Sequence, residues 1–170
     1  ELSVIANGVR EEPAVHDDGT TTHSFHFEDP IPTYLMALHA GTYSHHLDES
    51  GPIDVHTWAQ PELFEQAVDD FANTSEMIDF FSDLWVPYPW THYANVTAPF
   101  SGAMEHTTAT TFGMDLVGDE RAEFVNAHEI AHHWFGDLAT LNEWPEIWLN
   151  EGFASYAEVL WVEQQYGETT

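Results

Sequence analysis

The pentad His128-Glu129-Ile130-Ala131-His132, followed after eighteen intervening residues by Glu151 within Trp148-Leu149-Asn150-Glu151-Gly152-Phe153-Ala154, constrains this chain more than any other feature. Two histidines four apart on a helix stand one turn above each other, so both imidazoles can reach a single ion. Glu129 lies beside them, where a carboxylate can take the proton of a water whose pKa zinc has lowered toward neutrality, the activation that peptide hydrolysis needs. Three protein ligands and one open position make the catalytic form of a zinc site. Glu151, at the start of a second helical segment, is the candidate third ligand. Cysteine is absent, so a cysteine-rich structural zinc is excluded and the one expected Zn2+ must be held by nitrogen and oxygen. With 12 histidines in 170 residues, a chance His-Glu-x-x-His has a probability of roughly one in ten. The helical setting of the pentad and the second helix carrying Glu151 give it its weight.

Composition bounds the rest. A chain with 43% hydrophobic residues, seven Trp and eleven Phe can bury a sizeable core, and reads as one main domain with a smaller appendage. Two Lys plus Arg against thirty Asp plus Glu give a formal charge of −28, a surface that repels nucleic acid and anionic membranes. The acids are scattered rather than grouped at calcium-loop spacing, which favours adaptation to concentrated salt, where repulsion is screened within about 3 Å at 1 M. No apolar run approaches the roughly 20 residues of a membrane span. The start, Glu1-Leu2-Ser3-Val4-Ile5, lacks a basic segment followed by an apolar one, so no secretion signal is visible and a cytoplasmic location is expected.

Along the chain, residues 1–48 read as strands. Leu2 to Ala6 is an apolar run closed by Asn7-Gly8, with Val9 to Val15 as a plausible partner leading to Asp17-Asp18-Gly19. Thr22 to Glu28 alternates as a half-buried strand does, and Tyr34 to Gly41 reads as a further buried strand. These are too few strands for an independent domain and are expected to be the closing edge of a β domain. From Pro61 to Trp85, Phe64, Val68, Phe71, Ile78, Phe81 and Trp85 recur at helical steps, predicting one long amphipathic helix that Pro87 and Pro89 stop. Tyr93 to Ala98 is a short strand. Gly102-Ala103-Met104-Glu105-His106 and a Thr-rich strand through Phe112 follow, where small residues let an extended peptide pair with the edge. Helices are predicted over about 119–135 and 150–166, with Glu143-Trp144-Pro145 in the connection.

Gly102-Ala103-Met104-Glu105-His106, then His128-Glu129-x-x-His132-x-Trp134-Phe135-Gly136, then Trp148-Leu149-Asn150-Glu151-Gly152-Phe153-Ala154-Ser155-Tyr156, together resemble the zinc aminopeptidases of the aminopeptidase N and leukotriene hydrolase family. Pro87-Tyr88-Pro89-Trp90 extends the resemblance and Pro32-Thr33-Tyr34-Leu35 does so weakly. It implies an α+β fold, a thermolysin-like catalytic domain over 49–170 with a mixed sheet beside a helical lobe. It implies His128, His132 and Glu151 as zinc ligands, Glu129 as general base, and Glu105 as the group that binds the free α-ammonium of a peptide. The Glu105 role also has a physical argument: a carboxylate one residue's length from the metal pairs with an N-terminal ammonium only when the scissile carbonyl lies one residue in. Backbone groups of Gly102 and Ala103 are expected to orient the peptide. Glu158, two helical turns after Glu151, is placed to hydrogen-bond the far nitrogen of a zinc-binding histidine. His133 is expected to face away from the ion.

The sequence also departs from the family. His106 stands where the motif usually has asparagine, so a hydrogen bond to the substrate is altered, although an imidazole can still donate. Glu143-Trp144 replaces a pair of tryptophans. The family's transition-state-stabilising tyrosine lies further on than Thr170, and neither Tyr156 nor Tyr166 matches it; the chain therefore reads as a fragment that binds zinc and turns over poorly. The expected activity is a zinc aminopeptidase acting on peptides with a free N-terminus. Its rivals are a thermolysin-like endopeptidase, which Glu105 disfavours, and a non-catalytic acidic metal-binding module.

Overall fold

A computed structural model describes residues 2–167; Glu1 and residues 168–170, the outer ends of the two expected segments, lie outside the described residues. The strands are β1 (Ser3–Ala6), β2 (Val9–Arg10), β3 (Ala14–Val15), β4 (Thr21–Thr22), β5 (Phe25–His26), β6 (Leu38–Gly41), β7 (Ser44–Asp48), β8 (Asp54–Ala59), β9 (His92–Ala98), β10 (Ala103–Met104) and β11 (Thr110–Gly113). The helices are α1 (Phe64–Asp70), α2 (Thr74–Leu84), α3 (Ala122–His132) and α4 (Trp148–Tyr166). A five-stranded mixed sheet runs in the order β10-β11-β9-β8-β7. Its three inner strands are parallel and its two edges antiparallel. The parallel step from β8 to β9 needs a crossover, which α1 and α2 supply. The fold is α+β.

Both faces of the sheet are covered, which explains why Tyr93 to Thr97 of β9 are buried without alternation. On one face Val55, Tyr93, Ile78, Phe81, Ile130, Trp134 and Trp161 join the sheet to α2, α3 and α4. Each fully buried side chain of this size contributes about 1.5–3 kcal/mol. On the other face Ile5 of β1 packs against Ala94 and Val96.

Several local expectations are corrected. The partner of β1 is β6, not the Val9 to Val15 segment, which pairs elsewhere as β2 with β5 and β3 with β4. Asn7-Gly8 closes no hairpin, because the Asn7 amide donates to the carbonyls of Leu35 (2.9 Å) and Thr107 (2.6 Å) and accepts from the Ala37 N–H (2.6 Å). Tyr34 to Gly41 is not one buried strand: Thr33–Leu35 is a 3-10 turn, and Leu38 within β6 is 75% exposed. The long helix over 61–85 is two helices. Thr74 donates its hydroxyl to the Phe71 carbonyl (2.7 Å) at the break, a side-chain competition that interrupts helices. The break sends Phe64 and Phe71 into a small cluster with Ala59, Phe112 and Leu116, and Ile78 and Phe81 into the main core.

Glu123, in the first turn of α3, ties the helical layer together. Its carboxylate accepts from Asn73 (2.9 Å), Trp161 (3.0 Å) and Tyr166 (2.7 Å). The joint between α1 and α2 and the C-terminal half of α4 are thereby fixed to α3, which sets the register of the two helices that carry the pentad and Glu151.

Candidate active site

His128 and His132 stand one turn apart on α3 with ring centroids 4.7 Å apart at 75°, and Glu151 projects toward them from the first turn of α4. Glu151 Oε2 lies 3.3 Å from His128 Nε2 and 3.7 Å from His132 Nε2. One ligand atom from each of the three falls within 4.8 Å of the others. The far nitrogens are already engaged. His128 Nδ1 meets Glu158 Oε1 at 2.7 Å, and His132 Nδ1 donates to the Phe135 carbonyl at 3.1 Å. A carbonyl only accepts, so the proton of His132 sits on Nδ1 and the Nε2 lone pair faces Glu151; Glu158 selects the same tautomer of His128.

The Phe135 carbonyl reaches His132 because the helix does not continue to 135 as expected. Non-helical angles at Phe135 (φ −113°, ψ 79°) and Gly136 (φ 150°, ψ −55°) turn the chain there. A Cβ on Gly136 would sit 3.1 Å from Asn150 Nδ2 and 3.4 Å from His132 Nδ1, so both the backbone angle and the space call for glycine. The signal was present in sequence as a lone glycine closing a helical pattern, the usual mark of a helix C-terminus.

Glu129 is 6% exposed and its Oε2 has no hydrogen-bond partner among the described residues. Burial first, and then the negative charges of Glu105, Glu151, Asp137 and Glu158, push its carboxyl well above the ordinary range. Glu105 is 7% exposed, not solvent-facing, and forms a second group with Glu129 and His132 whose ligand atoms lie within 4.8 Å of one another. Two Nε2 lone pairs, a partly exposed carboxylate, an unpartnered buried carboxylate and surplus negative charge, with no thiolate, fit one zinc ion with a position left open.

The antiparallel pair of β10 and β11 leaves β10 as a free edge. The Gly113 N–H donates to the Gly102 carbonyl at 2.7 Å, so the alternation of the ladder directs the N–H and C=O of Ala103 away from β11, toward the open edge. What Gly102 supplies is the left-handed turn (φ 88°) that starts the strand, its carbonyl being taken. His106 is not brought into the carboxylate group: its Nδ1 meets Thr111 Oγ1 at 2.8 Å, and Thr111 meets His39 Nε2 at 3.0 Å. His133 faces away from the ligands, between Tyr88 (2.7 Å) and Thr110 (3.2 Å).

Two groups near the site carried little sequence signal. Asp137 is wholly buried and is pushed well above the carboxylate range by burial, with Glu105 adding to the shift. The Tyr34 hydroxyl is buried, and its pKa is raised by burial and by Glu105, Asp137 and Glu151. Both depend on contacts between segments remote in sequence.

Residues 70–170 match the Peptidase family M1 domain. Over 99% of its length the chain is 34% identical to leukotriene A-4 hydrolase of Xenopus laevis, and over 98% it is 34% identical to leucine aminopeptidase 2 of Neosartorya fischeri. It spans 28% of the length of each of these relatives. The crystal structure of a two-domain M1 zinc metallopeptidase, a mutant bound to L-arginine, matches with a TM-score of 0.84 and 30% identity, covering 98% of this chain and 39% of that one. The matched stretch contains α3 with its two imidazoles, the turn at Gly136 that orients one of them, and the α4 carboxylate that meets both: the chain belongs to peptidase family M1.

Proposed function

We propose that this chain is the catalytic core of a zinc-dependent aminopeptidase that releases N-terminal residues from peptides. The observation that carries this is Glu105, buried and grouped with Glu129 and His132. A carboxylate held out of water needs a cationic partner, and the α-ammonium of a peptide lying along β10 is one. An endopeptidase has no use for an anion at that place. The L-arginine bound to the solved relative, a free amino acid, is of the product class this reading expects.

His128, His132 and Glu151 would hold the zinc, with Glu158 and the Phe135 carbonyl orienting the imidazoles. When bound, the ion supplies a Lewis acid and lowers the pKa of water toward neutrality. Glu129 takes the proton of the attacking water through its free Oε2 and returns it to the leaving amine. Burial, the largest cause of its raised pKa, favours that proton. Ala103 pairs with the backbone of the substrate and Glu105 fixes its N-terminus, so the first peptide bond is the one presented.

Residues 1–48 belong, in this reading, to the last strands of a preceding β domain, and 49–170 to the catalytic domain, with β7 hydrogen-bonded into the catalytic sheet as the seam. The charge of −28 serves solubility in concentrated salt and turns away nucleic acid and anionic membranes. Among the described residues no helix is long and apolar enough to cross a membrane. We assign the activity to the cytoplasm.

The test compares hydrolysis of an aminoacyl-anilide with that of its N-acetylated form by the intact protein. Acetylation removes the ammonium and should lower kcat/KM by about 100-fold or more. Equal rates would indicate an endopeptidase, and cleavage of neither would indicate a metal-binding module.

A further inference from the structure

Glu105 follows directly on β10, whose ladder with β11 ends at Met104 opposite Thr111. Past that point its backbone is held by the turn that comes next, in which the His106 N–H donates to the Met104 carbonyl at 2.8 Å and the Ala109 N–H to the His106 carbonyl at 3.0 Å. This turn is strained. Thr108 has a φ of 61°, the only positive φ outside glycine among the described residues, and a β-branched side chain is rarely found there. Such a backbone persists only where its surroundings over-determine it, and positions of this kind gather at ligand clamps. Thr107 and Thr108 are both buried, and the groups that hold them come from the other end of the chain.

Those groups are Asn7 and Gly8. Asn7 Nδ2 donates to the Thr107 carbonyl at 2.6 Å and to the Leu35 carbonyl at 2.9 Å, while Oδ1 accepts from the Ala37 N–H at 2.6 Å. Both donor hydrogens of the amide are thereby engaged, and the bond from Ala37 fixes which end is the oxygen. The Gly8 N–H donates to Thr108 Oγ1 at 2.9 Å, a buried bond. The Thr107 N–H in turn donates to the Leu35 carbonyl at 3.3 Å. The turn after Glu105 and the turn carrying Tyr34 and Leu35 therefore meet at one amide.

Resting on the aminopeptidase reading above, we propose that Asn7 is a positioning residue for substrate recognition: it fixes the backbone of Thr107 and Thr108, and so sets the place at which Glu105 meets the α-ammonium. Glu105 selects the first peptide bond by its distance from the metal, and misplacing such a group by about 1 Å can cost on the order of 100-fold. Asn7 acts through Glu105 and not on the substrate. The N-terminal strands thereby take part in the choice between a free and a blocked N-terminus.

The experiment measures kcat/KM of intact, zinc-loaded protein on an aminoacyl-anilide and on its N-acetylated form, in the parent and in Asn7→Asp. That substitution keeps the size and the acceptor for Ala37 but removes both donors. A purely structural loss reduces the number of active molecules and lowers both rates alike, so the ratio of the two reports position alone. The ratio should fall by about 10-fold or more in Asn7→Asp, with KM for the free substrate raised and zinc content unchanged. Should Asn7→Asp lose its zinc and so report misfolding, Thr108→Val, which keeps the shape but removes the acceptor of the Gly8 bond, must lower the ratio, and Thr108→Ser must restore it. An unchanged ratio in the folded variants would overturn the proposal. A parent ratio near one would instead sink the Glu105 reading, and this proposal with it.

Discussion

Replacing Glu158 by alanine should weaken zinc binding without unfolding the protein. The carboxylate meets His128 Nδ1 at 2.7 Å, short enough for a charge-assisted hydrogen bond, a class that contributes about 1.5–3 kcal/mol. The side chains are unequally covered, 18% exposed for His128 and 36% for Glu158, so solvent competes for the acceptor and the lower half of that range applies. A loss of about 1.5–2 kcal/mol corresponds to roughly a 10- to 30-fold weaker zinc affinity. Glu158→Gln keeps an acceptor oxygen but loses the charge, and should fall between parent and alanine variant. Competition against a chromophoric chelator measures the affinity, and thermal unfolding of the zinc-free protein measures any effect unrelated to the metal. If the alanine variant binds zinc as the parent does while its zinc-free form unfolds earlier, Glu158 is a packing residue and the orienting role is wrong.

Two further outcomes are expected. Gly136→Ala places a Cβ 3.1 Å from Asn150 Nδ2 and 3.4 Å from His132 Nδ1 at a φ of 150°, which should cost about 1–3 kcal/mol of stability. It should also displace the carbonyl that orients His132; an unchanged unfolding midpoint together with unchanged zinc affinity would refute this. The second concerns pH. Burial first, and then His106, lower His39 to about 4, against about 6.5 in the unfolded chain. The unfolded state therefore binds the extra proton, and the stability contributed by the neutral ring is complete above about pH 6.5 and lost as pH falls toward 4, by about 2 kcal/mol at pH 5. His39→Gln should remove that part of the difference between denaturant unfolding at pH 8 and at pH 5, and an identical pH dependence in the two proteins would count against the assignment.

The parts of the site legible in sequence are those set by spacing along one helix. His128, Glu129 and His132 are related by helical geometry alone, and so is Glu158 to Glu151, two turns on. The family motifs added Glu105, whose burial is visible only when the sheet is formed. What could not be read depends on partners far away in the chain. Asn7-Gly8 has the composition of a hairpin turn, yet the Asn7 amide serves carbonyls 28 and 100 residues on, and β1 accordingly pairs with β6 instead of its neighbour. The pattern over 61–85 is helical at every apolar position, and nothing in that periodicity registers that Asn73 is claimed by Glu123 of α3.

The two imidazoles show where such reading stops. Their separation makes both candidate ligands, but separation does not say which nitrogen would face an ion. For His128 the answer comes from a carboxylate on α4, still a regular element and still guessable from helical spacing. For His132 it comes from a main-chain carbonyl exposed only because the helix fails at Phe135 and Gly136. A backbone acceptor carries no side-chain identity, so no residue type at 135 could have announced it; the glycine after it, tolerant of the backbone angle that turns the carbonyl inward, is the nearest thing to a sequence record of that bond.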